Sequence, residues 1–307
     1  MLALLLRLFT LTLIAAASGW LLYFFNSDPL LAIAGFLAIT LGYTGFLALE
    51  FVLQSVVNQT DPVPQPSWKE RFRAWLAETL IAPQVLCWRQ AFRANAIADN
   101  LSAQSVVHGR RGVVFVHGFF GNRGFWTPWL KRLQGRGHAF MAINLEPLFG
   151  SIDDYGPQIE AAVQTITRAT GMPPLLVCHS MGGLAARAWL KRHSAEARTQ
   201  HVVTIATPHR GTWPAQYSHT CNGRQMRVDS PWLAELNHDL TANEHARFTC
   251  WYSNSDNIVF PASNATLPGA DNRLVRGAAH VQLAFLPQVM DATLALLDDT
   301  GNQIERR

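Results

Sequence analysis

The chain has 307 residues, of which 49% are hydrophobic, and its formal net charge is +4. The basic residues are spread along the sequence without a dense run or interleaved aromatics, which argues against nucleic-acid binding. The four cysteines form no CxxC pair, so they indicate neither a zinc site nor a redox motif: Cys87, Cys178, Cys221 and Cys250. Cys221 and Cys250 are able to pair in an oxidising compartment, but four reduced thiols is the simpler interpretation.

Two uncharged apolar runs occupy the start of the chain, Leu8–Phe25 and Leu30–Leu49. Each is close to the ~20 residues that a helix needs to cross a hydrocarbon core. Asn, Asp and Pro between them are turn residues, and Pro29 suits the first position of a second helix. We therefore predict a transmembrane helical hairpin within residues 1–57. A small residue at every fourth position predicts the face of close helix contact: Ala34, Ala38 and Gly42.

Two other interpretations of this segment compete with the hairpin. A signal peptide cleaved near Ala15–Ala17 is disfavoured, because the apolar run continues to Phe25. A buried hairpin in a soluble protein is disfavoured by the near-absence of charge over two span lengths.

The placement of basic residues predicts the orientation of the hairpin. Arg7 precedes the first run, the connecting loop has no basic residue, and three basic residues follow the second run: Lys69, Arg71 and Arg73. The positive-inside rule then places both ends in the cytoplasm. We expect a multi-pass protein of the inner (cytoplasmic) membrane with a cytoplasmic catalytic domain. The periplasmic side stays open, since the basic residues lie at a distance from the second run.

Residues 58–100 are predicted to be a linker followed by membrane-proximal amphipathic helices. Alternating prolines make Asp61–Pro66 an extended connector. Ser67 with Glu70 three residues later is typical of a capping box. The next helix carries one apolar face: Trp68, Phe72, Trp75, Leu76 and Leu80. That face either lies at the membrane interface or packs on the catalytic domain, and periodicity does not separate the two. A second helix is predicted from Gln84 to about Ala98.

Apolar runs alternate with helical patterns in the remaining segment, residues 101–307. The helical patterns include Ile159–Thr167 and Gly182–Arg192. The strand candidates are Val113–Val116, Phe140–Leu145, Leu175–Cys178, Val202–Ile205, Phe248–Tyr252 and Arg273–Val275. This alternation predicts an α/β domain with a mainly parallel sheet flanked by helices.

The third strand candidate runs into Cys178–Gly183, which has the pattern of a nucleophile elbow. In such an elbow a sharp strand-to-helix turn exposes a serine, and small neighbours are needed where backbones approach closely. Cys178 stands where G-x-S-x-G has its first glycine, and cysteine is small enough for the turn. The strand before and the helix after it favour Ser180 as a nucleophile.

A nucleophilic serine needs a base and an acid that orients the base. After a nucleophile elbow the acid comes next in the chain and the histidine last. Asp256 directly follows a strand candidate, and His280 is the only histidine beyond it. Asp271 is the rival acid, but it lies in a loop close to His280, so we prefer Asp256.

The oxyanion hole is predicted from two backbone N–H groups. One belongs to Met181, the residue after the nucleophile, and the other to Phe119 in the loop after the first strand. Two histidines near these positions are assigned structural roles. His117 is expected to fix the oxyanion loop, and His179 is too near Ser180 in sequence to act as its base.

These segments resemble the α/β-hydrolase superfamily, and more narrowly its lipase-like branch. The resemblance covers roughly Gly112 to Leu297 and does not extend to the hairpin or the linker. The matching motifs are HGFxGN at His117–Asn122, GHSMGG at Cys178–Gly183, TPHxGT at Thr207–Thr212, and acid and base segments at Asp256–Pro261 and Leu267–His280. The resemblance implies the α/β-hydrolase fold and hydrolysis of carboxylic esters, including lipid esters. It also implies a small cap at about 212–246, whose bulky apolar residues either suit an acyl chain or form ordinary core.

We therefore expect a membrane-anchored serine hydrolase acting on lipid or other acyl esters, with no cofactor and no metal, calcium included. The expected partners are that substrate and the bilayer, with no nucleic acid. The same triad serves thioester or amide hydrolysis, so those reactions stay open. A non-catalytic membrane-bound binding protein is a further alternative. The oligomeric state is open.

Overall fold

The computed structural model of the protein describes residues 1–102, 106–192, 199, 201–238 and 246–298. The chain begins with two long helices, α1 (Leu2–Phe24) and α2 (Pro29–Val57). Asp28 caps α2 by accepting a hydrogen bond of 3.0 Å from the Leu31 N–H. Both helices are long and apolar enough to cross a membrane, in agreement with the predicted hairpin.

The face on which α1 and α2 meet differs from the predicted one. The Trp20 indole donates a 3.0 Å hydrogen bond to the Leu31 carbonyl, and its ring fills the space over Gly35, where a Cβ would lie 1.8 Å from Nε1. The predicted stripe is exposed instead: Ala34, Ala38 and Gly42. The indole ring of Trp20 fits only over a glycine, here Gly35. The position of this ring therefore determines which face of α2 meets α1, and the spacing of the small residues does not.

The linker is followed by α3 (Trp68–Pro83), which continues directly into a π-helix over Gln84–Gln90. The predicted capping box is present, with Glu70 accepting from the Ser67 N–H and Ser67 Oγ accepting from the Glu70 N–H. The predicted helix from Gln84 to Ala98 is wrong beyond Phe92. There the chain leaves the helix because Arg123 binds the Ile97 carbonyl and Asn100 pairs with Phe140, and these tertiary contacts outweigh helix propensity.

Two faces of α3 meet different surroundings. Most of its apolar stripe is exposed, namely Trp68, Phe72, Leu76 and Leu80. The opposite face is buried against α2 and the loop before residue 280, and it includes Ala74 and Glu78. The face of α3 that packs on the domain is therefore small and polar, and its apolar face stays largely exposed.

Six parallel strands form one sheet in the order β2-β1-β3-β4-β5-β6. They are β1 (Val113–Val116), β2 (Phe140–Ala142), β3 (Leu175–His179), β4 (His201–Ile205), β5 (Phe248–Ser253) and β6 (Asp271–Val275). Each predicted strand is present, although β2 ends at Ala142 and not at Leu145. The predicted parallel α/β architecture is confirmed.

Helices cover both faces of this sheet. The remaining helices are α4 (Thr127–Leu133), α5 (Gly156–Thr170), α6 (Met181–Arg192), α7 (Cys221–Gln225), α8 (Pro231–His238), α9 (His280–Leu283) and α10 (Pro287–Asp298). Successive strand residues point to opposite faces, so Val114 and Leu176 pack with α5 and α6, whereas Val113 and Leu175 pack with α4 and α10. The segment predicted as a cap contains α7 and α8, and its Met226, Leu233 and Leu236 join the first of these cores. The four cysteines are free thiols.

Candidate active site

Ser180 lies on a strained turn between β3 and α6. Its φ is +53°, a left-handed conformation that a serine adopts only when the surroundings enforce it. Two hydrogen bonds hold the turn: the Ser180 N–H donates to the Ile205 carbonyl at 2.8 Å, and Thr207 Oγ1 donates to the Ser180 carbonyl at 2.9 Å. The sequence therefore folds here into a sharp strand-to-helix turn with Ser180 at its apex, and the role of Ser180 as nucleophile stays a prediction.

The close backbone approaches at this turn occur at Gly182 and Gly183. A Cβ on Gly182 would lie 2.5 Å from the Val116 carbonyl oxygen, and one on Gly183 would lie 2.2 Å from Thr207 Oγ1. Cys178 lies in β3 and is fully buried in the core on the α5 and α6 side. The irregular position of the motif therefore packs as a small core residue, and the turn depends on the two glycines after the serine.

The predicted acid and base are joined. His280 Nδ1 lies 3.0 Å from both carboxylate oxygens of Asp256, and both side chains are buried. Asp256 Oδ1 also accepts the N–H groups of Ile258 and Val259, at 2.9 and 2.7 Å. The rival acid, Asp271, is exposed and pairs with Arg273 Nη2 at 2.6 Å. The geometry therefore favours Asp256 as the partner of His280.

His179 lies between the predicted nucleophile and the predicted base. It directly precedes Ser180, its Nε2 donates to the His280 carbonyl at 3.3 Å, and the two imidazole rings are 4.7 Å apart between centroids. The hydrogen bonds of the described residues include none between the Ser180 hydroxyl and the His280 ring. Such bonds are often long before substrate binds and shorten in the complex. His179 is buried, which lowers its pKa well below the usual value, so it acts as a neutral donor to the base segment.

Neutral His117 shapes the loop that carries Phe119. Its Nδ1 donates to the Gly118 carbonyl at 2.9 Å and its Nε2 accepts from the Leu145 N–H at 3.0 Å. Burial lowers the pKa of His117 to about 4, so the imidazole is neutral and able to do both. A Cβ on Gly118 would lie 2.7 Å from Ser180 Cβ, so this loop passes directly beside the nucleophile. Met181, the other predicted donor, is the first residue of α6, where N–H groups have no partner within the helix.

The same loop is fixed from outside the sheet by the π-helix. Gln90 accepts the Asn122 N–H through Oε1 at 2.6 Å, and its carbonyl accepts from Asn122 Nδ2 at 3.0 Å. Phe120, two residues before Asn122, has a φ of +53°, which is a strained conformation for an aromatic residue. Phe120 packs against an apolar cluster that includes Leu2 and Leu6 of α1.

Residues of α2 and α3 hold the acid and base loops, which sequence reasoning missed. Glu78 in α3 accepts the N–H groups of Val281 and Gln282, at 3.0 and 3.1 Å, directly after the base. Glu50 in α2 accepts from Asn257 Nδ2 at 2.7 Å, while Asn257 Oδ1 accepts the His280 N–H at 3.2 Å. Lone carboxylates about 200 residues from their partners carry no local pattern, so the sequence has no signal for these contacts.

The environment of His280 favours its protonated form. Burial alone would lower its pKa, but the charge and hydrogen bond of Asp256, together with the charge of Glu78, outweigh burial, and the pKa is raised. Glu78 itself is buried, which raises its pKa to about 7. An imidazole that gains a proton readily and is held at Nδ1 by a carboxylate is suited to general-base work at Nε2.

Many solved structures are similar to this chain in fold, and two lipases serve as examples. The mature form of the Bacillus licheniformis lipase BlEst2 aligns with a TM-score of 0.55 at 20% identity, over 62% of this chain and 94% of its own. Aspergillus fumigatus lipase B aligns with a TM-score of 0.54 at 17% identity, over 68% of this chain and 57% of its own. None of the curated proteins is significantly similar in sequence.

The sequence profile of the alpha/beta hydrolase family matches residues 113–300, which is more than half of the chain. That range begins at β1 and includes the elbow, the Asp256 loop and His280. The chain therefore belongs to the α/β-hydrolase family.

Proposed function

We propose that the protein is a serine esterase that cleaves acyl esters, with Ser180 as nucleophile, His280 as base and Asp256 as the acid that orients the base. The observation that carries the proposal is the buried Asp256–His280 pair beside a strained serine elbow. The lipase fold of the similar structures supports an ester as the substrate class.

The reaction follows from these positions. Ser180 Oγ attacks the acyl carbon while His280 Nε2 takes its proton, and Asp256 stabilises the imidazolium through Nδ1. The N–H groups of Phe119 and Met181 bind the oxyanion. His280 then protonates the leaving alcohol, which departs and leaves the acyl group on Ser180. Water attacks this ester with His280 again as base, and the acid product leaves.

The position of the hairpin supports the proposal that the substrate partitions into a membrane. The start of α1 shares an apolar cluster with Phe120, after β1, and Glu50 near the end of α2 binds Asn257, after β5. The carboxyl ends of parallel strands lie at one edge of a sheet, so both ends of the hairpin lie beside the candidate site. A hairpin that crosses the bilayer would hold this edge at the membrane surface, with the exposed apolar stripe of α3 at the interface.

A fluorophosphonate probe tests the nucleophile, because it reacts with activated serines. We expect labelling of the full chain in detergent micelles, complete loss of labelling in Ser180→Ala, and normal labelling in Ser263→Ala. Ser263 is a suitable control because its hydroxyl makes none of the hydrogen bonds found for the described residues. Labelling that survives in folded Ser180→Ala protein contradicts the proposal. Matched acyl ester, thioester and amide substrates then separate the three reactions that the triad permits.

The cytoplasmic placement proposed from the positive-inside rule has its own test. Cys221 is exposed, whereas Cys178 and Cys250 are buried, so in a Cys87→Ser background one thiol reports on the domain. A membrane-impermeant maleimide is expected to label Cys221 only after the cells are permeabilised. Labelling in intact cells with an opened outer envelope would place the domain on the periplasmic side.

A further inference from the structure

A large apolar groove lies between the hairpin and the helix that follows the linker. Its volume is about 850 Å³, within the roughly 300–1,000 Å³ of sites that hold small organic ligands. We name it the hairpin groove. It is lined by Leu5, Leu6, Phe9 and Leu13 of α1, Ile39, Thr40, Gly42 and Tyr43 of α2, Ala82 and Pro83 of α3, Leu86 and Cys87 of the π-helix, and Phe120.

The lining leaves an incoming ligand almost no polar group to bind. The Thr40 hydroxyl donates to the Phe36 carbonyl at 2.7 Å, and the Tyr43 hydroxyl donates to the Thr79 carbonyl at 2.7 Å. The remaining side chains are hydrocarbon or aromatic, apart from the Cys87 thiol, which behaves as a small hydrophobe. A charged headgroup or a nucleotide that entered this groove would lose its hydrogen bonds to water without gaining new ones. A hydrocarbon chain has no such hydrogen bonds to lose.

The groove reaches the loop that passes beside Ser180. Phe120 lines the groove, and Gly118, two residues before it in the same loop, lies against Ser180. Phe120 has a positive φ and also packs against the apolar cluster that includes Leu2 and Leu6 of α1. From Leu5 to Leu13 the groove follows α1 for about 12 Å at 1.5 Å per residue. Its far end therefore lies within the apolar part of the hairpin.

We propose that the hairpin groove binds the acyl chain of the ester substrate, with the chain lying along α1 and its carboxyl end at the oxyanion loop. Leu5 and Phe9 are 48% and 59% exposed, so the groove is open along one side to the apolar phase that surrounds the hairpin. The substrate class is thereby narrowed to lipids with a long acyl chain that enter sideways from the bilayer. This inference rests on the proposed esterase activity.

Two glycines of α2 offer a matched pair of variants. A Cβ on Gly42 or on Gly45 would meet no atom within 4 Å, so both helix positions accept a side chain. Gly42 lines the groove, whereas Gly45 does not. Gly42→Phe should fill the groove without disturbing the backbone, and Gly45→Phe should add the same ring outside it.

The first measurement compares acetyl and palmitoyl esters of p-nitrophenol, with the full chain in phosphatidylcholine nanodiscs. Gly42→Phe is expected to lower the palmitoyl-to-acetyl ratio of kcat/KM about tenfold or more, because several methylenes lose their apolar contacts. Activity on the acetyl ester should stay the same, and Gly45→Phe should leave the ratio unchanged. A ratio that is unchanged in Gly42→Phe, or reduced equally in both variants, overturns the proposal.

The second measurement does not depend on catalysis, so it separates failure of the groove from failure of the esterase. A palmitoyl ester with a diazirine near its chain end is photo-crosslinked to Ser180→Ala protein, and the adducts are mapped by mass spectrometry. We expect adducts in peptides 82–87 and 9–13 that disappear in Ser180→Ala with Gly42→Phe and persist with Gly45→Phe. Adducts spread evenly over the outer faces of α1 and α2 would show only bilayer contact and overturn the proposal. Groove adducts without any ester hydrolysis would keep the groove and contradict the esterase.

Discussion

The catalytic domain and the N-terminal hairpin bury opposite kinds of residue. In the domain several of the largest side chains are fully buried, among them Trp126, Trp129 and Trp189. In the hairpin large apolar side chains such as Phe9 and Leu22 are exposed, whereas Gln54 at the end of α2 is completely buried. The domain has the burial pattern of a protein surrounded by water, whereas the exposed apolar side chains of the hairpin fit the membrane anchoring proposed above.

The difference shows how the two regions divide their tasks. The buried polar residues of the N-terminal region bind the loops that carry the acid and the base. Gln54 Nε2 donates to the Asn254 carbonyl at 2.6 Å, and Asn254 Nδ2 donates to the Pro64 carbonyl at 2.9 Å. Glu78 binds the backbone just after His280. In the proposed reaction the domain therefore supplies the reacting groups, and the N-terminal region positions two of them.

The largest effect is expected within the domain, at the acid. Asp256→Asn keeps the shape of the side chain but removes the charge that orients and stabilises protonated His280, so kcat should fall about a thousandfold or more. Ester hydrolysis by the folded full chain measures this. Asp271→Asn is the matched control, since Asp271 pairs with Arg273 on the surface, and its activity should stay within about twofold of wild type. A large loss of activity in Asp271→Asn, with normal activity in Asp256→Asn, would make Asp271 the acid.

A smaller effect is expected at the positioning residue Glu78. Its charge helps to raise the pKa of His280, and only the neutral imidazole acts as a base. Activity should therefore rise with pH as His280 loses its proton, and the acid limb of kcat/KM should shift to lower pH in Glu78→Gln. The pH profile of ester hydrolysis measures this shift.

The control for that shift lies on the same helix. Glu70 pairs with Arg276 and Ser67 at the surface, and Glu70→Gln removes one negative charge there while a glutamine still suits the capping box. Its acid limb should stay where it is in the wild type. Equal shifts in both variants would mean that overall charge acts on His280, and that Glu78 has no special position.

The sequence predicts the parts of the molecule whose patterns are local. Each strand candidate is an apolar run that needs no knowledge of its neighbours, and the elbow is a short motif around Ser180 in its strand-to-helix context. Asp256 and His280 are predicted from chain order, which leaves few choices. The contact face of α2 was predicted wrongly because it depends on where the Trp20 ring lies. Glu78 was missed because its role exists only after α3 docks on a loop far along the chain.

The smallest expected effect concerns stability, and it distinguishes buried from surface carboxylates on α3. Burial raises the pKa of Glu78 from 4.5 to about 7, so its protonated form favours the folded state. This contribution is complete below pH 4.5 and is lost as the pH rises to about 7. The melting temperature of the wild type relative to Glu78→Gln should therefore fall across that range in detergent micelles.

Glu70 should show the opposite sign. Its hydrogen bonds to Arg276 and Ser67 lower its pKa to about 2, so its ionised form favours the folded state. This contribution is present above pH 4.5 and is lost as the pH falls toward 2. The melting temperature of the wild type relative to Glu70→Gln should therefore rise between pH 2 and 4.5 and then stay level. If both variants gave the same slope, Glu78 would be a solvated carboxylate, and the buried contact between α3 and the base loop would be wrong.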